Sequence, residues 1–385
     1  MLRQISRVSC TAVGLIALCA VPASIAQAPI GSERPITSWV QSDGPHVAYG
    51  DANGNVYQLW YTIATGRWAS QSLMTVPNAA PVGSRMPMTS WQQSDGPHVA
   101  YADTNGNIHQ FWYTLKTGQW FAQSLATVPN AVAVGPGMPM TSWIQSDGPH
   151  VAYADAYGNI HQLWYTLTTG QWSAQSLATV SYAVAVGSGM PMTSWLQSDG
   201  PHVAYGDAYG NIRQLWYTVT PGYWSAQSLA TVPNAVAVGS GRPMTSWIQS
   251  DGPHVAYADT NGNIHQLWYT LRTGQWFAQN LANVPNAVAV GSGRPMTSWI
   301  QSDGPHVAYG DAYGNIHQLW YTVTPGYWSA QSLMTVPNAA DVGFTMPMTS
   351  WVQSDGPHVV YGYTYGNIHQ LWYTLATGQW AAQIL

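Results

Sequence analysis

Four short apolar runs, separated by turn residues, recur along this chain. Within residues 87–138 the runs are 88–92 (MTSWQ), 98–102 (HVAYA), 107–115 (NIHQFWYTL) and 119–128 (QWFAQSLATV). They are rich in Val, Ile, Tyr, Trp and Thr, side chains that pack well on a pleated surface. No run has the three-to-four spacing of an amphipathic helix. Asp95-Gly96-Pro97, Asp103-Thr104-Asn105-Gly106 and Thr117-Gly118 stand between them. Asn-Gly is a strong hairpin signal because both positions favour positive φ. The pattern predicts four antiparallel strands, then a loop over 129–138 that leads to the next set.

The set repeats. Trp39, Trp91, Trp143, Trp195, Trp247, Trp299 and Trp351 stand 52 residues apart, with no insertion or deletion between copies. Residues 46–68, HVAYGDANGNVYQLWYTIATGRW, return almost unchanged at 150–172 and 358–380. Such a period indicates a repeat architecture. A lone four-stranded sheet with near-continuous apolar runs cannot bury both its faces, but one stacked radially between two neighbours can. A linear solenoid does the same yet needs polar end caps. Here the first and last copies are as apolar as the middle ones. The predicted fold is all-β: a seven-bladed β-propeller of four-stranded antiparallel blades over 29–385, with blades starting near 35, 87, 139, 191, 243, 295 and 347. The seventh copy stops after its last strand. Blades 1 and 7 are therefore expected to meet mainly face to face, with residues 29–34 as a partial latch.

Charge narrows the choice of partner. Only 6% of the residues are charged, and ten Lys and Arg serve the whole chain. Nucleic acid needs clustered cations, so the composition argues against it. A surface rich in Trp, Tyr, Gln, Asn and Ser suits a neutral, hydroxyl-rich ligand. Residues 1–28 read as a secretory signal: Arg3 and Arg7, an apolar run over 11–20, then small residues suited to cleavage. That run is too short to span a membrane. The expected location is extracellular or periplasmic. Cys10 and Cys19 both lie in this segment, which leaves the rest of the chain without a disulfide or a thiolate metal site.

Candidate chemistry recurs in every copy. His46, His98, His150, His202, His254, His306 and His358 begin the second run. Gln58, Gln110, Gln162, Gln214, Gln266, Gln318 and Gln370 follow twelve residues later on the third. A hairpin turn midway sets each pair side by side at one rim of a blade. The bland alternative is a structural cross-strand hydrogen bond, since buried polar groups must pair. Trp68, Trp120, Trp172, Trp224, Trp276, Trp328 and Trp380 each follow a Gly-containing turn, nearest a groove, and are the candidate stacking surface. The other tryptophans read as core. The turn over 51–55 has the outline of a calcium loop but lacks its downstream carboxylate, so a plain hairpin turn is favoured. A second histidine set (His109, His161, His265, His317, His369) becomes Tyr57 and Arg213 in two copies, which favours a solvated or filler role over metal binding.

The pattern H-V-x-Y-x-D-x-x-G-N-I-x-Q-L-W-Y-x(6)-W resembles the repeat of the fucose-binding β-propeller lectins of fungi and bacteria, the Aleuria-type family. That repeat reads approximately R-V-Y-Y-x-D-x-x-G-x-I-x-E-x-x-Y-x(n)-W. The pattern is also similar to bacterial propeller repeats of the form HVxYxxxxGxIHELWY. The resemblance covers all seven copies. It implies sugar sites between adjacent blades, where an Arg and a Glu grip hydroxyls, a Tyr assists and a Trp packs the apolar side. Carried onto the first copy, these positions are His46, Gln58, Tyr61 and Trp68. The tyrosine position recurs as Tyr113, Tyr165, Tyr217, Tyr269, Tyr321 and Tyr373. This chain departs from the pattern in every copy, with neutral His and Gln for charged Arg and Glu. Charge-assisted hydrogen bonds are roughly twice as strong as neutral ones, so weaker sites or a different sugar are implied. A histidine that touches ligand also implies binding that weakens near pH 6, or strengthens for acidic glycans.

Catalysis needs an asymmetric set of acid, base or nucleophile, and seven near-identical copies offer no unique one. Repetition suits multivalent binding. The sequence thus reads as a secreted, non-enzymatic, multivalent lectin for glycans, without cofactor or metal. The alternatives are a propeller scaffold for protein or host-surface partners and, less favoured, a glycoside hydrolase or lyase.

Overall fold

The computed structural model describes residues 28–385. The segment read as an export signal lies outside the described residues, save for Ala28. Seven four-stranded antiparallel sheets follow one another, each a simple meander. In the first blade the strands are β1 (Ile36–Gln41), β2 (Gly44–Gly50), β3 (Val56–Thr62) and β4 (Arg67–Ser72). In the second they are β5 (Met88–Gln93), β6 (Gly96–Ala102), β7 (Ile108–Thr114) and β8 (Gln119–Ser124). First strands of neighbouring blades meet all the way round, and blade 7 meets blade 1. The ring is closed, as the absence of polar end caps implied.

Burial follows position. The second strand of every blade is buried at all of its positions, because it lies mid-sheet with a blade on either side. Its tyrosine is fully buried, and where it is hydrogen bonded it reaches the loop from the preceding blade. Tyr101 Oη, for example, donates to the Ala80 carbonyl at 2.8 Å. Fourth strands form the outer edge and are shorter than the sequence suggested. The run expected to continue to 128 ends at Ser124, where Leu125 plugs into the core and the chain turns. In blades 1 and 6 that turn is a single 3₁₀ turn, Leu73–Thr75 and Leu333–Thr335, capped by Ser72 and Ser332.

The Thr-Ser pair of each innermost strand joins the blades. Successive side chains of a strand point to opposite faces, so Thr37 faces blade 2 while Ser38 faces blade 7. Thr37 Oγ1 and Ser90 Oγ share a hydrogen bond at 2.6 Å, and Ser90 Oγ also donates to the Ser38 carbonyl at 3.1 Å. The pattern continues blade by blade until Thr349 Oγ1 meets Ser38 Oγ at 2.7 Å.

Residues 28–34 take the place beside blade 7 that an inter-blade loop takes beside the other blades. Elsewhere the inter-blade loop anchors as Val82 does, its N–H donating to the Gly54 carbonyl at 2.8 Å. Ile30 does the same to Gly366 at 2.8 Å, and Tyr49 Oη donates to Ala28 at 2.8 Å. Ile30 is buried among residues of blades 1 and 7. A belt of backbone hydrogen bonds around the axis passes through the same loops. Glu33 N–H donates to Thr345 at 3.3 Å, and Arg85 N–H donates to Glu33 at 2.9 Å. Belt residues need left-handed backbone, with φ of 57° at Glu33 and 71° at Gly137, which explains the glycines at four of these seven positions. Closure is therefore more than face-to-face packing. The latch is a loop, not an exchanged strand.

Truncating Ile30 tests this. Ile30→Ala should lower the unfolding free energy by about 2–5 kcal/mol, measured by urea denaturation. Unchanged stability would show that the segment takes no part in closure.

Candidate functional site

Strand alternation decides which side chains can meet. His46 lies opposite Trp39 on β1 and Trp60 on β3, while Gln58 lies opposite Ala48 and Gln71. All share the face turned toward blade 2. Tyr61 and Trp68 pair with each other on the opposite face, toward blade 7. The four positions carried over from one copy therefore do not form one site. Each seam takes its His and Gln from one blade and its Tyr and Trp from the next. Trp120 Nε1 of blade 2 donates to Gln58 Oε1 of blade 1 at 3.0 Å. The last seam has the same form, with the Trp68 ring set edge-on to Trp351 at 6.4 Å.

A polar chain runs along each seam. In blade 2 the Gln123 Nε2 donates to Gln110 Oε1 at 2.7 Å, and the Gln110 Nε2 lies 2.8 Å from His98 Nδ1. An amide nitrogen can only donate, so Nδ1 accepts and the proton sits on Nε2. That Nε2–H reaches Asp95 Oδ1 at 3.1 Å. Both ring nitrogens are thus committed inside the protein, and Trp91 stacks on the imidazole at 5.4 Å. The Gln–His and His–Asp contacts recur in all seven blades. Burial lowers the pKa of each of these histidines, outweighing the upward pull of its aspartate. They are neutral at pH 7. The cross-strand hydrogen bond raised as the bland alternative is present in every copy.

The aspartate is the charged end of the chain. Its turn is fixed by Gly96, at φ 146°, where a Cβ would lie 2.0 Å from the Tyr113 carbonyl oxygen. The Leu115 N–H holds the Asp95 carbonyl at 2.7 Å. With one oxygen bound to histidine, the carboxylate remains 50% exposed and open to solvent. From the sequence alone, Asp43, Asp95, Asp147, Asp199, Asp251, Asp303 and Asp355 read as turn residues only. The signal available was their constant placement three residues before the histidine. Gln71 and its equivalents carry no motif signal, and the Trp60 set, read as core from the sequence, is half-buried, with Trp112 on the groove wall.

The seams after blades 2, 3 and 5 widen outward into grooves. The groove between blades 2 and 3 holds about 680 Å³, bounded by Asp95, His98, Gln110 and Trp112 on one side and Tyr165 and Trp172 on the other. The grooves after blades 3 and 5 hold 470 and 530 Å³. Small-molecule sites span roughly 300–1,000 Å³, so there is room for a sugar ring. The lips differ: Gln171 borders the first groove, whereas Tyr223 and Tyr327 border the other two.

The remaining constellations are structural. Asp103 Oδ1 accepts the backbone N–H of Asn105 and Asn107 at 2.9 Å, and its Oδ2 accepts His109 Nε2 at 3.1 Å. Burial alone would raise this carboxyl's pKa, but the hydrogen bonds hold it below the ordinary value. The second histidine set is accordingly buried, not solvated, because it pairs with this turn. Arg213 replaces one member and salt-bridges Asp207 at 2.8 Å. Where the aspartate becomes Tyr363, His369 meets that ring edge-on at 5.4 Å instead. No cluster of three or more metal-ligating side chains occurs among the described residues.

No family model and no curated protein matches the sequence. Solved structures match the fold. The BP39L lectin from Burkholderia pseudomallei is similar at a TM-score of 0.71 and 16% identity, over 92% of this chain and 98% of that one. AofleA from Arthrobotrys oligospora gives 0.54 at 15% identity, over 79% and 87%. A lectin structure described as a six-bladed β-propeller, that of Aleuria aurantia, gives 0.50 at 16% identity, over 78% and 94%. A ring of six opens each wedge more widely than a ring of seven, so fewer blades superpose at once.

The buried histidines give a pH signature. Their folded pKa lies below the unfolded value near 6.5, so above that pH both states are neutral and stability is complete. As pH falls, the unfolded chain takes up protons first, and stability is lost from about pH 6.5 down toward the folded pKa. Seven sites acting together should make the loss steep. Denaturation midpoints level from pH 8 to 7 and falling below 6.5 are expected, and a flat profile to pH 5 contradicts buried neutral imidazoles.

Proposed function

We propose that this protein is a secreted, non-catalytic lectin that holds pyranose rings in the grooves between adjacent blades. The observation that carries the reading is one polar row repeated in all seven blades, which opens into a groove at the three seams described above. Each groove combines an indole face, a fixed row of amides and imidazole, and one carboxylate acceptor. A sugar ring offers a C–H face to the indole and hydroxyls to the polar row. Proteins of the same fold supply a precedent: the Aleuria aurantia lectin has been solved with α-methyl-L-fucoside and SapL1 with α-methyl fucoside. The neutral His and Gln found here in place of Arg and Glu favour a different sugar from theirs.

Chemistry in the grooves supports binding over hydrolysis. Glycoside hydrolysis ordinarily uses two carboxylates flanking one bond, and each of the three grooves described above is lined by one. Near-identical sites on one rigid body favour avidity, by roughly 10² to 10⁴ when geometry permits. Export is proposed from the character of residues 1–28. A scaffold role would draw on the exposed Tyr157, Tyr209 and Tyr313 at hairpin tips on the opposite end of the blades.

A glycan array decides between these readings. Binding to several surface glycans, inhibited by a free monosaccharide, supports the lectin, whereas silence on every glycan rejects it. Trp172→Ala should remove about one site in seven by calorimetric stoichiometry, leaving the others unchanged. A hydrolase would lose all or none of its activity.

A further inference from the structure

We propose that the grooves select pyranoses bearing a free ammonium group, with the rim aspartate of each seam as the specificity-determining residue. The inference rests on the sugar-binding reading above and names its ligand class. Its first support is charge. Among the residues lining the grooves after blades 2, 3 and 5, the charged side chain is Asp95, Asp147 or Asp251, and no Lys or Arg is present. The histidine beside it cannot supply compensating charge. Its Nδ1 is filled by a glutamine amide proton, and its Nε2–H already points at the aspartate.

Position is the second support. Each of these carboxylates is about half exposed, at 50%, 50% and 48%, yet held in one orientation by the buried imidazole. One oxygen is engaged and the other has lone pairs to offer. A preorganised anion in a groove walled by two indoles and a phenol suits a cation, since aromatic faces attract ammonium groups. Sugars carrying carboxylate or sulfate would meet only repulsion. The charge preference is the reverse of the one that a ligand-facing, protonatable histidine implied.

The test titrates the intact protein with D-glucosamine, D-galactosamine and D-mannosamine, at a pH where the amine is protonated. Each is compared with its neutral parent and its N-acetyl form, and with the uronic acids of glucose and galactose. At least one amine should bind about tenfold more tightly than its parent and N-acetyl form, as a charge-assisted contact outweighs a neutral one. Uronic acids should bind worst, and the amine preference should shrink as salt is raised. Asparagine keeps an acceptor for the His Nε2–H, so Asp→Asn at all seven rim positions should bring amine and parent affinities together. If the sevenfold variant misfolds, Asp95→Asn alone should lower the number of amine-preferring sites by one. Amines binding no better than neutral parents, uronic acids binding best, or a preference that survives Asp→Asn would each overturn the inference while leaving the lectin reading intact. Failure of every sugar would overturn both.

Discussion

The ring depends on one small pairing, the Thr-Ser dipeptide of each innermost strand. Because neighbouring residues on a strand face opposite ways, each blade presents Thr to the blade after it and Ser to the blade before it. The hydrogen bonds form only if successive blades turn by a constant angle. They also leave no odd partner, since Thr349 and Ser38 complete the circle at 2.7 Å. An open spiral would strand that pair. The same alternation sorts the rest of each blade, with Trp39, His46 and Gln58 on one face and Tyr61 and Trp68 on the other.

That sorting explains what could and could not be read from the chain. The 52-residue period and the turn residues between apolar runs fixed the blade count and the four-strand meander. The twelve-residue spacing of His and Gln, with a hairpin between, gave a true contact. The partnership between blades was harder to read. Motif order placed Trp68 close to His46, but the strand pleat sent the two to different seams. Closure was half legible. Residues 29–34 look like a piece of the inter-blade loop, and they act as that loop after blade 7, yet nothing local showed that they would bind Gly366. Asp95 was hidden by its own motif. Asp-Gly-Pro is a turn signal, and the carboxylate's second task appears only when the histidine folds back onto it.

The polar chain also shows how a neutral seam stays rigid. Polar groups buried without partners destabilise a fold, while fully satisfied networks specify one arrangement. Here carboxylate, imidazole and two amides satisfy one another in sequence, and the imidazole tautomer follows from the amide beside it. Proton uptake by His98 would break this order, because its Nδ1 faces a donor. The network therefore ties groove geometry to a neutral histidine. In the grooves after blades 2, 3 and 5 it also places the one charged side chain of the lining at the mouth, where water or a ligand can reach it.

Sevenfold repetition constrains function more than any single residue does. An enzyme gains little from seven copies of a reaction centre built on one carboxylate. A binder gains effective concentration from each additional site on a rigid body. The copies are not fully equivalent, however. Tyr223 and Tyr327 are half exposed at the lips of two grooves where Gln171 stands in a third. An aromatic lip adds an apolar wall to the same polar row, so the three grooves share an inner lining and differ in the chemistry of their mouths.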